Sequence, residues 1–433
     1  MSVRIYIYCG FRPENDPDSR RMKTTGKAEE MKYIVILCDG MADEPLPELE
    51  GKTPLEAAAT PNMDRLAKVS EIGMVRTVPE GMAPGSDTAN LSVIGYDPEV
   101  YYSGRSPLEA LSIGADMDAS DVSFRCNLVT LSEEEENYSD RRILDHSSGE
   151  ISTEEAAVLI EALKEKLERD GYTFYVGTSY RHLLIMKNGS VVELTAPHDI
   201  LTKRIGEYLP GDPVLREMME RSYDILKDHP INVKRRAEGK NPANSAWFWG
   251  AGTRPALTSF EEKNGVKGAM ISAVDLLKGI AVGAGMHNII VEGANGGLDT
   301  NYAGKGQAAV TALSEDGFDF VYVHIEAPDE MGHQGSAEKK IQAIESIDRM
   351  IIGPVVEALS AENIPFRMLV LPDHPTPVHV RTHTGDPVPY MLYDSTAPAE
   401  GKNSYSEKSG RETGVFVEKG CRLIDHLIEK TQQ

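Results

Sequence analysis

The stretch KYIVILCDG, Lys32 to Gly40, is a short apolar run that ends in an acidic residue and a glycine. Such a run is typical of a strand buried inside a parallel sheet. Three further runs share its character: Asn288–Val291 (NIIV), Phe318–Ile325 (FDFVYVHI) and Phe366–Pro372 (FRMLVLP). Between them lie helical patterns such as Ala337–Leu359, where isoleucine and valine recur every three or four residues. This alternation predicts an α/β fold with a mostly parallel sheet flanked by helices.

The middle of the chain has a different texture and predicts a second domain. It contains an acidic run Ser132–Asp140, a helical pattern Thr153–Asp170, two short strands His182–Met186 and Val191–Thr195, and a loop-like segment His229–Ser245. Strand-like segments that end in aspartate or histidine occur on both sides of it. We therefore predict a smaller α+β domain, residues 104–267, inserted into a catalytic domain of residues 31–103 and 268–433. Residues 1–30 are predicted to be a flexible extension.

The charge of the chain limits its partners. Of 433 residues, 45 are lysine or arginine and 68 are aspartate or glutamate, a formal net charge of −23. Nucleic acid and anionic membranes would be repelled, so neither is expected as a partner. Four scattered cysteines without a CxxC pair, and the lack of a long apolar run or signal-peptide pattern, predict a cytoplasmic protein. No pattern indicates an oligomeric state.

Carboxylate and imidazole side chains follow three of the four predicted strands. They are Asp39, Asp329 with His333, Asp373 with His374, and His383 in a loop shortly after. The carboxyl ends of parallel strands meet at one edge of a sheet, where ligands bind. A spacing of four residues also puts Asp329 and His333 on one face of a helix. Singly, each is more often a turn residue or helix cap, and His324 reads as a core histidine, but three strand ends together favour a metal site.

The candidate ligands indicate which ions would bind. Oxygen and imidazole ligands without thiolate favour Mn²⁺ or Zn²⁺, with Co²⁺ or Mg²⁺ as alternatives. Together with Ser86 there are seven candidates, too many for one tetrahedral ion. Two ions roughly 4 Å apart, as in enzymes of phosphoryl transfer, would use them all.

Ser86 lies in PGSDTANLSVIG, Pro84 to Gly95, where a short helix could begin. It is either a helix cap or a nucleophile. No histidine occurs within ten residues of it to act as a base. A cation bound to its oxygen would lower the pKa of the hydroxyl instead, so the metal prediction and the nucleophile prediction support each other.

Five motifs, VILCDGMAD, PGSDTANLSVIGYDP, HIEAPDEMGHQG, LPDHPTP and THTGDPVP, resemble the metal and nucleophile motifs of the alkaline phosphatase superfamily. More narrowly, GSDTANLSVIGYDPEVYYSGRSPLEALSIG followed by FRCNLVT resembles the archaeal-type 2,3-bisphosphoglycerate-independent phosphoglycerate mutases. The likeness extends over nearly all of the chain from Met31 onward. It implies an alkaline-phosphatase-like sheet and an isomerase of the type EC 5.4.2.12, which needs no 2,3-bisphosphoglycerate.

The resemblance also implies roles for residues. One ion would be held by Asp39, Ser86, Asp373 and His374, and the other by Asp329, His333 and His383. Ser86 would take the phosphoryl group from 2- or 3-phosphoglycerate as phosphoserine, and the reoriented glycerate would take it back on its other hydroxyl. The inserted domain would contact the substrate and close over the site, because water would turn a mutase into a phosphatase.

Substrate contacts are less specific in the pattern. Arginine forks suit carboxylate and phosphate, so Arg125 and Arg181 are candidates, with a structural ion pair as the equal alternative. Asp145 is a candidate partner of a glycerate hydroxyl or, more simply, a turn residue. Lys278 either approaches the transferring phosphoryl group or is a solvated helix lysine.

Other functions compete with this one. A phosphomonoesterase, or a mutase of another small phosphorylated acid, would use the same metal centre. A sulfatase lacks support because Ser86 is followed by Asp-Thr-Ala-Asn and so does not begin a Ser-x-Pro-x-Arg pattern. The glycine-rich GANGGLDTNYAGKGQ fails the P-loop pattern of a kinase, and a binding module would leave Ser86 and its ligands without a use.

Overall fold

The structure is a computed structural model that describes residues 30–402 and 404–429. The predicted flexible extension therefore lies, apart from Glu30, outside the described residues. The part from Met31 onward forms one compact unit. Within the described ranges, no helix is both long enough and apolar enough to cross a bilayer.

The strands form two sheets. They are β1 Lys32–Cys38, β2 Glu71–Val75, β3 Val122–Leu131, β4 Ile143–Asp145, β5 Tyr172–Thr178, β6 Arg181–Met186, β7 Ser245–Thr253, β8 Gly268–Ile271, β9 His287–Ile289, β10 Phe320–Ile325, β11 Phe366–Leu371, β12 Val388–Asp394 and β13 Phe416–Val417.

The helices lie around and between these sheets. They are α1 Pro54–Ala57, α2 Pro61–Ala67, α3 Ser86–Val93, α4 Pro98–Tyr101, α5 Arg105–Ser112, α6 Thr153–Leu167, α7 Pro213–Leu226, α8 Pro230–Ala237, α9 Phe260–Asn264, α10 Asp275–Gly283, α11 Tyr302–Ser314, α12 Ala327–His333, α13 Ala337–Ile347, α14 Gly353–Ala361, α15 Glu407–Thr413 and α16 Leu423–Ile428. A π-helical turn, Asp348–Ile352, joins α13 to α14.

The larger sheet has eight strands in the order β13-β2-β12-β11-β1-β10-β8-β9. Strand β1 pairs in parallel with β10 on one side and with β11 on the other. Only β12 runs antiparallel to its neighbours β11 and β2. The prediction of an α/β fold with a mostly parallel sheet is confirmed.

Strand β1 is buried on both faces because the sheet lies between two layers of helices. Ile34, Ile36 and Cys38 face one apolar core, and Val35 and Leu37 face the other. This is why the run that forms β1 is continuously apolar from Ile34 to Cys38 instead of alternating. The register ends Cys38 beside Ile325 and Leu37 beside Leu371, so the residues that follow the three strands emerge at one edge.

The smaller sheet is antiparallel and is built entirely from the middle of the chain. Strand β3 pairs with β4, β6 and β7, and β5 pairs with β6. Helices α6 and α7 cover it and share its apolar core, which includes Phe124, Trp247 and Phe248. Antiparallel strands covered by helices give this part of the chain an α+β architecture.

Three details differ from the sequence predictions. The segment after His229, predicted to be a loop, contains helix α8, which begins at Pro230. The backbone N–H of Ile231 in its first turn donates to Nδ1 of His229, which caps the helix. The segment Val191–Thr195 forms no strand, because it has no ladder partner among the described residues. The long helix predicted from Ala337 is interrupted by the π-helical turn, where the buried Asp348 carboxylate bonds amides at the start of α2.

Helix α5 crosses α10 at very short range, and this crossing joins the two sheets. A Cβ added at Gly279 would lie 1.8 Å from the carbonyl oxygen of Leu108. One turn later, the nearest atoms to a Cβ at Gly283 would be side-chain carbons of Leu111 and Leu257, at 3.0 and 3.2 Å. The close approach at Gly279 therefore sets how near the two helices lie.

We predict that Gly279→Ala lowers the free energy of unfolding by at least about 2 kcal/mol, although alanine is the better helix former, because the methyl group forces the backbones apart. Gly283→Ala is the matched control in the same helix and should cost less than about 1 kcal/mol. Thermal and denaturant unfolding of both variants measure this. Equal stability of the two variants would contradict the crossing.

Candidate active site

The predicted metal ligands come together at the carboxyl edge of the larger sheet. Asp39 follows β1 and Asp373 follows β11 after one proline, while one residue separates α12 from the end of β10. Gly40 has a left-handed φ of +60°, and a Cβ there would lie 2.6 Å from the Cα of Asp329. A glycine is thus needed at position 40 for the loop after β1 to approach Asp329, which follows β10.

One group of ligand atoms consists of Asp39, Asp373 and His374, all buried. Their ligand atoms lie within 4.8 Å of one another. Oδ1 of Asp39 is buried and has no hydrogen-bond partner within the described part of the chain. An unpartnered buried carboxylate oxygen is costly, so it fits a cation.

The second group consists of Asp329, His333 and His383. Oδ2 of Asp329 lies 3.3 Å from Nε2 of His333, and Oδ1 lies 3.4 Å from Nε2 of His383. The two histidine Nε2 atoms are 3.0 Å apart. Helix α12 produces the first contact, because residues four apart share one helical face. Three atoms converging in this way can surround one ion.

The two groups are neighbours. The rings of His374 and His383 have centroids 4.1 Å apart. The hydroxyl of Thr376 donates to Oδ1 of Asp329 at 2.5 Å and lies 3.3 Å from Nδ1 of His374. The arrangement therefore offers two adjacent cation sites.

The charges of this cluster oppose one another. Burial, followed by the charges of Asp373 and Asp329, raises the pKa of Asp39 well above its usual value. Burial lowers the pKa of His374, while the hydrogen bond that His333 donates to Asp329 raises the pKa of His333 to about 9. Crowded carboxylates are unfavourable without positive charge, so a divalent cation would relieve the repulsion.

Ser86 lies beside the first group. Its Oγ is 3.2 Å from Nε2 of His374 and 3.4 Å from Oδ2 of Asp39. Gly85 is the N-cap of α3, and Ser86 is the first residue inside the helix. The Ser86 side chain caps no backbone N–H of the helix; its contacts are with Asp39 and His374. The capping alternative is therefore wrong, and the hydroxyl points to the ligand cluster.

Two residues with no predicted role at the site hold the cluster in place. Asn90 donates from Nδ2 to Oδ2 of Asp373 and to the carbonyl of Ser86, both at 2.8 Å. His324 is a buried core histidine as expected, but its Nε2 also lies 2.8 Å from Oδ2 of Asp39. The strand register, which pairs His324 with Leu37, is the only signal for this contact.

A buried lysine joins the loops that carry the ligands. Nζ of Lys340 donates to Oδ2 of Asp43 at 2.7 Å, to the carbonyl of Thr376 at 2.9 Å and to the carbonyl of Ala42 at 3.2 Å. Both charged side chains are completely buried. The loops after β1 and β11 are thereby fixed to each other.

A cavity of about 330 Å³ lies between the two sheets. Its charged lining residues are Arg105, Glu109, Arg125, Arg181, Asp275 and Glu326. Glu326 follows β10 and precedes the ligand Asp329 by three residues. Burial and the nearby charge of Asp329 raise the pKa of Glu326, so this lining residue lies near the ligand cluster. Arginine-rich walls beside a cation site can bind an anion at both of its ends.

The four predicted substrate residues differ in position. Arg125 and Arg181 line the cavity. Lys278 pairs with the lining residue Asp275 at 3.2 Å. Asp145 accepts hydrogen bonds from Ser147, Gly149 and Asn241 and organises its own turn. The motifs missed Arg105 and Glu109, although their spacing of four residues in a helical pattern predicts an ion pair.

Comparison with known proteins gives consistent matches. A family model described as 2,3-bisphosphoglycerate-independent phosphoglycerate mutase matches residues 67–232. A protein of that name from Methanosarcina barkeri is 48% identical over 406 residues, which cover 92% of this chain and all of the relative. A probable one from Geobacter sulfurreducens is also 48% identical, with the same coverage of each chain.

Two solved structures are similar over nearly their whole length. A protein from Pyrococcus horikoshii has a TM-score of 0.78 and 30% identity, covering 94% of this chain and 99% of the other. A cofactor-independent phosphoglycerate mutase from Thermoplasma acidophilum has a TM-score of 0.64 and 29% identity, covering 92% and 99%.

We predict that Asp39→Asn raises the melting temperature of the metal-free protein at pH 7 by a few degrees. The pKa of Asp39 is raised in the folded state, so its ionised form opposes folding, and this cost grows as the pH rises above the range in which the unfolded carboxyl titrates. The same variant should lose most of the stabilisation that Mn²⁺ gives the wild type, about 2.7 kcal/mol at 100 times Kd.

Differential scanning fluorimetry with and without Mn²⁺ measures both effects. Asp316→Asn, at an exposed position, is the control and should change neither. A metal-free Asp39→Asn protein that melts below the wild type would contradict the proposed repulsion.

Proposed function

The chain belongs to the 2,3-bisphosphoglycerate-independent phosphoglycerate mutases, and we propose that it interconverts 2- and 3-phosphoglycerate through a phosphoserine at Ser86. The observation that carries this proposal is the position of the Ser86 hydroxyl, within 3.4 Å of both Asp39 and His374 at the start of a helix. A hydroxyl so placed can attack a phosphoryl group held at the edge of the sheet.

We assign one divalent ion to Asp39, Ser86, Asp373 and His374, and a second to Asp329, His333 and His383. The fit rests on the unpartnered Oδ1 of Asp39 and on the crowded carboxylates, which require positive charge. Mn²⁺ is our first choice, with Zn²⁺, Co²⁺ or Mg²⁺ as alternatives, because the ligands are oxygen and imidazole. Such ions lower the pKa of a serine hydroxyl and neutralise charge on the phosphoryl oxygens.

The reaction can be written as two balanced transfers. Oγ of Ser86 loses its proton and attacks phosphorus, the bond from phosphorus to the glycerate oxygen breaks, and that oxygen takes up a proton. The other glycerate hydroxyl then loses its proton and attacks the phosphorus of the phosphoserine, the bond from phosphorus to Oγ breaks, and Oγ takes up a proton, which restores the Ser86 hydroxyl. His374 orients Oγ, and the free amides in the first turn of α3 favour the negative charge of the phosphoryl group.

We propose that the arginines hold the glycerate carboxylate while the phosphoryl group is at Ser86. Arg125 and Arg181 line the cavity next to the ligand cluster, and their guanidinium groups suit a carboxylate. Lys278 would reach the substrate only if its pair with Asp275 opened. Asp145 remains a predicted hydroxyl partner, although both of its oxygens already accept hydrogen bonds.

We further propose that residues 104–267 act as an inserted cap over a catalytic domain of residues 31–103 and 268–433. The larger sheet carries the candidate ligands, whereas Arg125 and Arg181 belong to the smaller sheet. Closing one on the other would exclude water from the phosphoserine and prevent its hydrolysis. The expected location of this reaction is the cytoplasm.

We predict that Ser86→Ala abolishes the exchange of 3-phosphoglycerate into 2-phosphoglycerate, a loss of at least about 10⁴-fold, because the phosphoryl group has no acceptor. The assay is coupled to the consumption of 2-phosphoglycerate, with Mn²⁺ and without 2,3-bisphosphoglycerate. Bound Mn²⁺, measured by elemental analysis, should fall much less, since six ligands remain.

The matched control is Ser92→Ala in the same helix, which should keep most of the activity. Residual exchange by Ser86→Ala would remove this serine from its role. Release of inorganic phosphate by the wild type in place of exchange would favour the rival function, a phosphomonoesterase.

A further inference from the structure

Helix α5 lies between the smaller sheet and helix α10, and it carries two charged residues into the cavity. Oγ of Ser106 lies 2.6 Å from the carbonyl oxygen of Gly250 in the smaller sheet. On its other side the helix packs against α10 at Gly279. The side chains of α5 are therefore held by both halves of the structure.

Glu109, on this helix, accepts hydrogen bonds from the Nε atoms of two arginines. Its Oε2 accepts from Nε of Arg125 at 3.0 Å, and its Oε1 accepts from Nε of Arg105 at 3.3 Å. The side chains of Glu109 and Arg125 are 17% and 11% exposed, so their pair is shielded from water and competing ions.

The plane of Arg125 is fixed from a second direction. Its guanidinium carbon lies 4.3 Å from the ring centroid of Trp249. Among the described residues, no acceptor bonds its terminal nitrogens, which leaves that edge of the fork for a ligand in the cavity. One bond at Nε and one stacked face are enough to determine the orientation of a planar group.

We propose that Glu109 is a positioning residue: it holds Arg125, and with it Arg105, so that their terminal nitrogens receive the carboxylate of phosphoglycerate. This inference rests on the proposed function. Glu109 itself does not contact the substrate, because both of its oxygens face guanidinium groups and its negative charge would repel an anion. Glu109 reduces the net positive charge of Arg105 and Arg125, but it fixes the orientation of their guanidinium groups.

The test is a double-mutant cycle with E109Q and R125K. Glutamine has the shape of glutamate but only one acceptor oxygen, and lysine has no Nε to be held. We expect E109Q to raise the KM for 3-phosphoglycerate about tenfold, equal to about 1.4 kcal/mol, with kcat changed by less than about threefold. In the R125K background, E109Q should raise KM by clearly less than about tenfold, because Arg125 no longer needs to be held and only Arg105 remains as a partner of Glu109.

Two further measurements keep the test decisive. Calorimetric titration of 3-phosphoglycerate gives Kd without turnover and should change in parallel with KM. Glu109→Asp keeps the charge but cannot reach both Nε atoms, so it should also raise KM, and it serves if E109Q folds poorly. Glu165→Gln, at an exposed position, is the control and should change nothing.

The outcomes separate this inference from the proposed function. If the wild type exchanges phosphoglycerates but the effects of E109Q and R125K are additive, or E109Q lowers kcat at constant KM, the positioning role is overturned. If the wild type neither exchanges nor binds 3-phosphoglycerate, both are overturned. If the wild type binds it without exchange, the proposed function fails and the Kd cycle still decides the role of Glu109.

Discussion

The parallel pairing of β1 between β10 and β11 is the constraint on which the rest of the structure depends. Parallel neighbours end at the same edge, so the residues that follow them must share a small space. In this chain those residues are carboxylates and imidazoles, and the register brings Asp39 beside Asp329 and Asp373. The fold thereby creates an electrostatic conflict that a bound cation would remove.

The surroundings of this edge hold the conflicting groups in place. Asn90 and His324 bond the carboxylates of Asp373 and Asp39, while Lys340 joins the two ligand loops through their carbonyls and Asp43. These side chains supply directed hydrogen bonds in a dry environment, where each bond is strong and each unpaired group is costly. The cluster is therefore preorganised for positive charge and does not have to assemble around it.

The two sheets divide the work of binding. The larger sheet offers the cation ligands and Ser86, and the smaller one offers arginines, with Glu326 and Glu109 where they meet. Helix α5 connects the halves where its Leu108 packs against Gly279 of α10. Its Glu109 accepts a hydrogen bond from Arg125 of the smaller sheet and so orients that guanidinium group. Motion of one half relative to the other would change the distance between the sites for the two ends of the substrate.

The sequence by itself determined the α/β class, the parallel strands and the identity of the candidate ligands, because apolar runs and the residues directly after them are local features. It also indicated the helical face shared by Asp329 and His333. Only the tertiary structure decided which contacts link distant positions: His324 with Asp39, Lys340 with Asp43, and Arg125 with both Glu109 and Trp249. Helix α8 and the π-helical turn were likewise invisible in the pattern. Such features depend on register, helix crossing and burial, which arise when the whole chain packs, whereas periodicity reports only on residues a few positions apart.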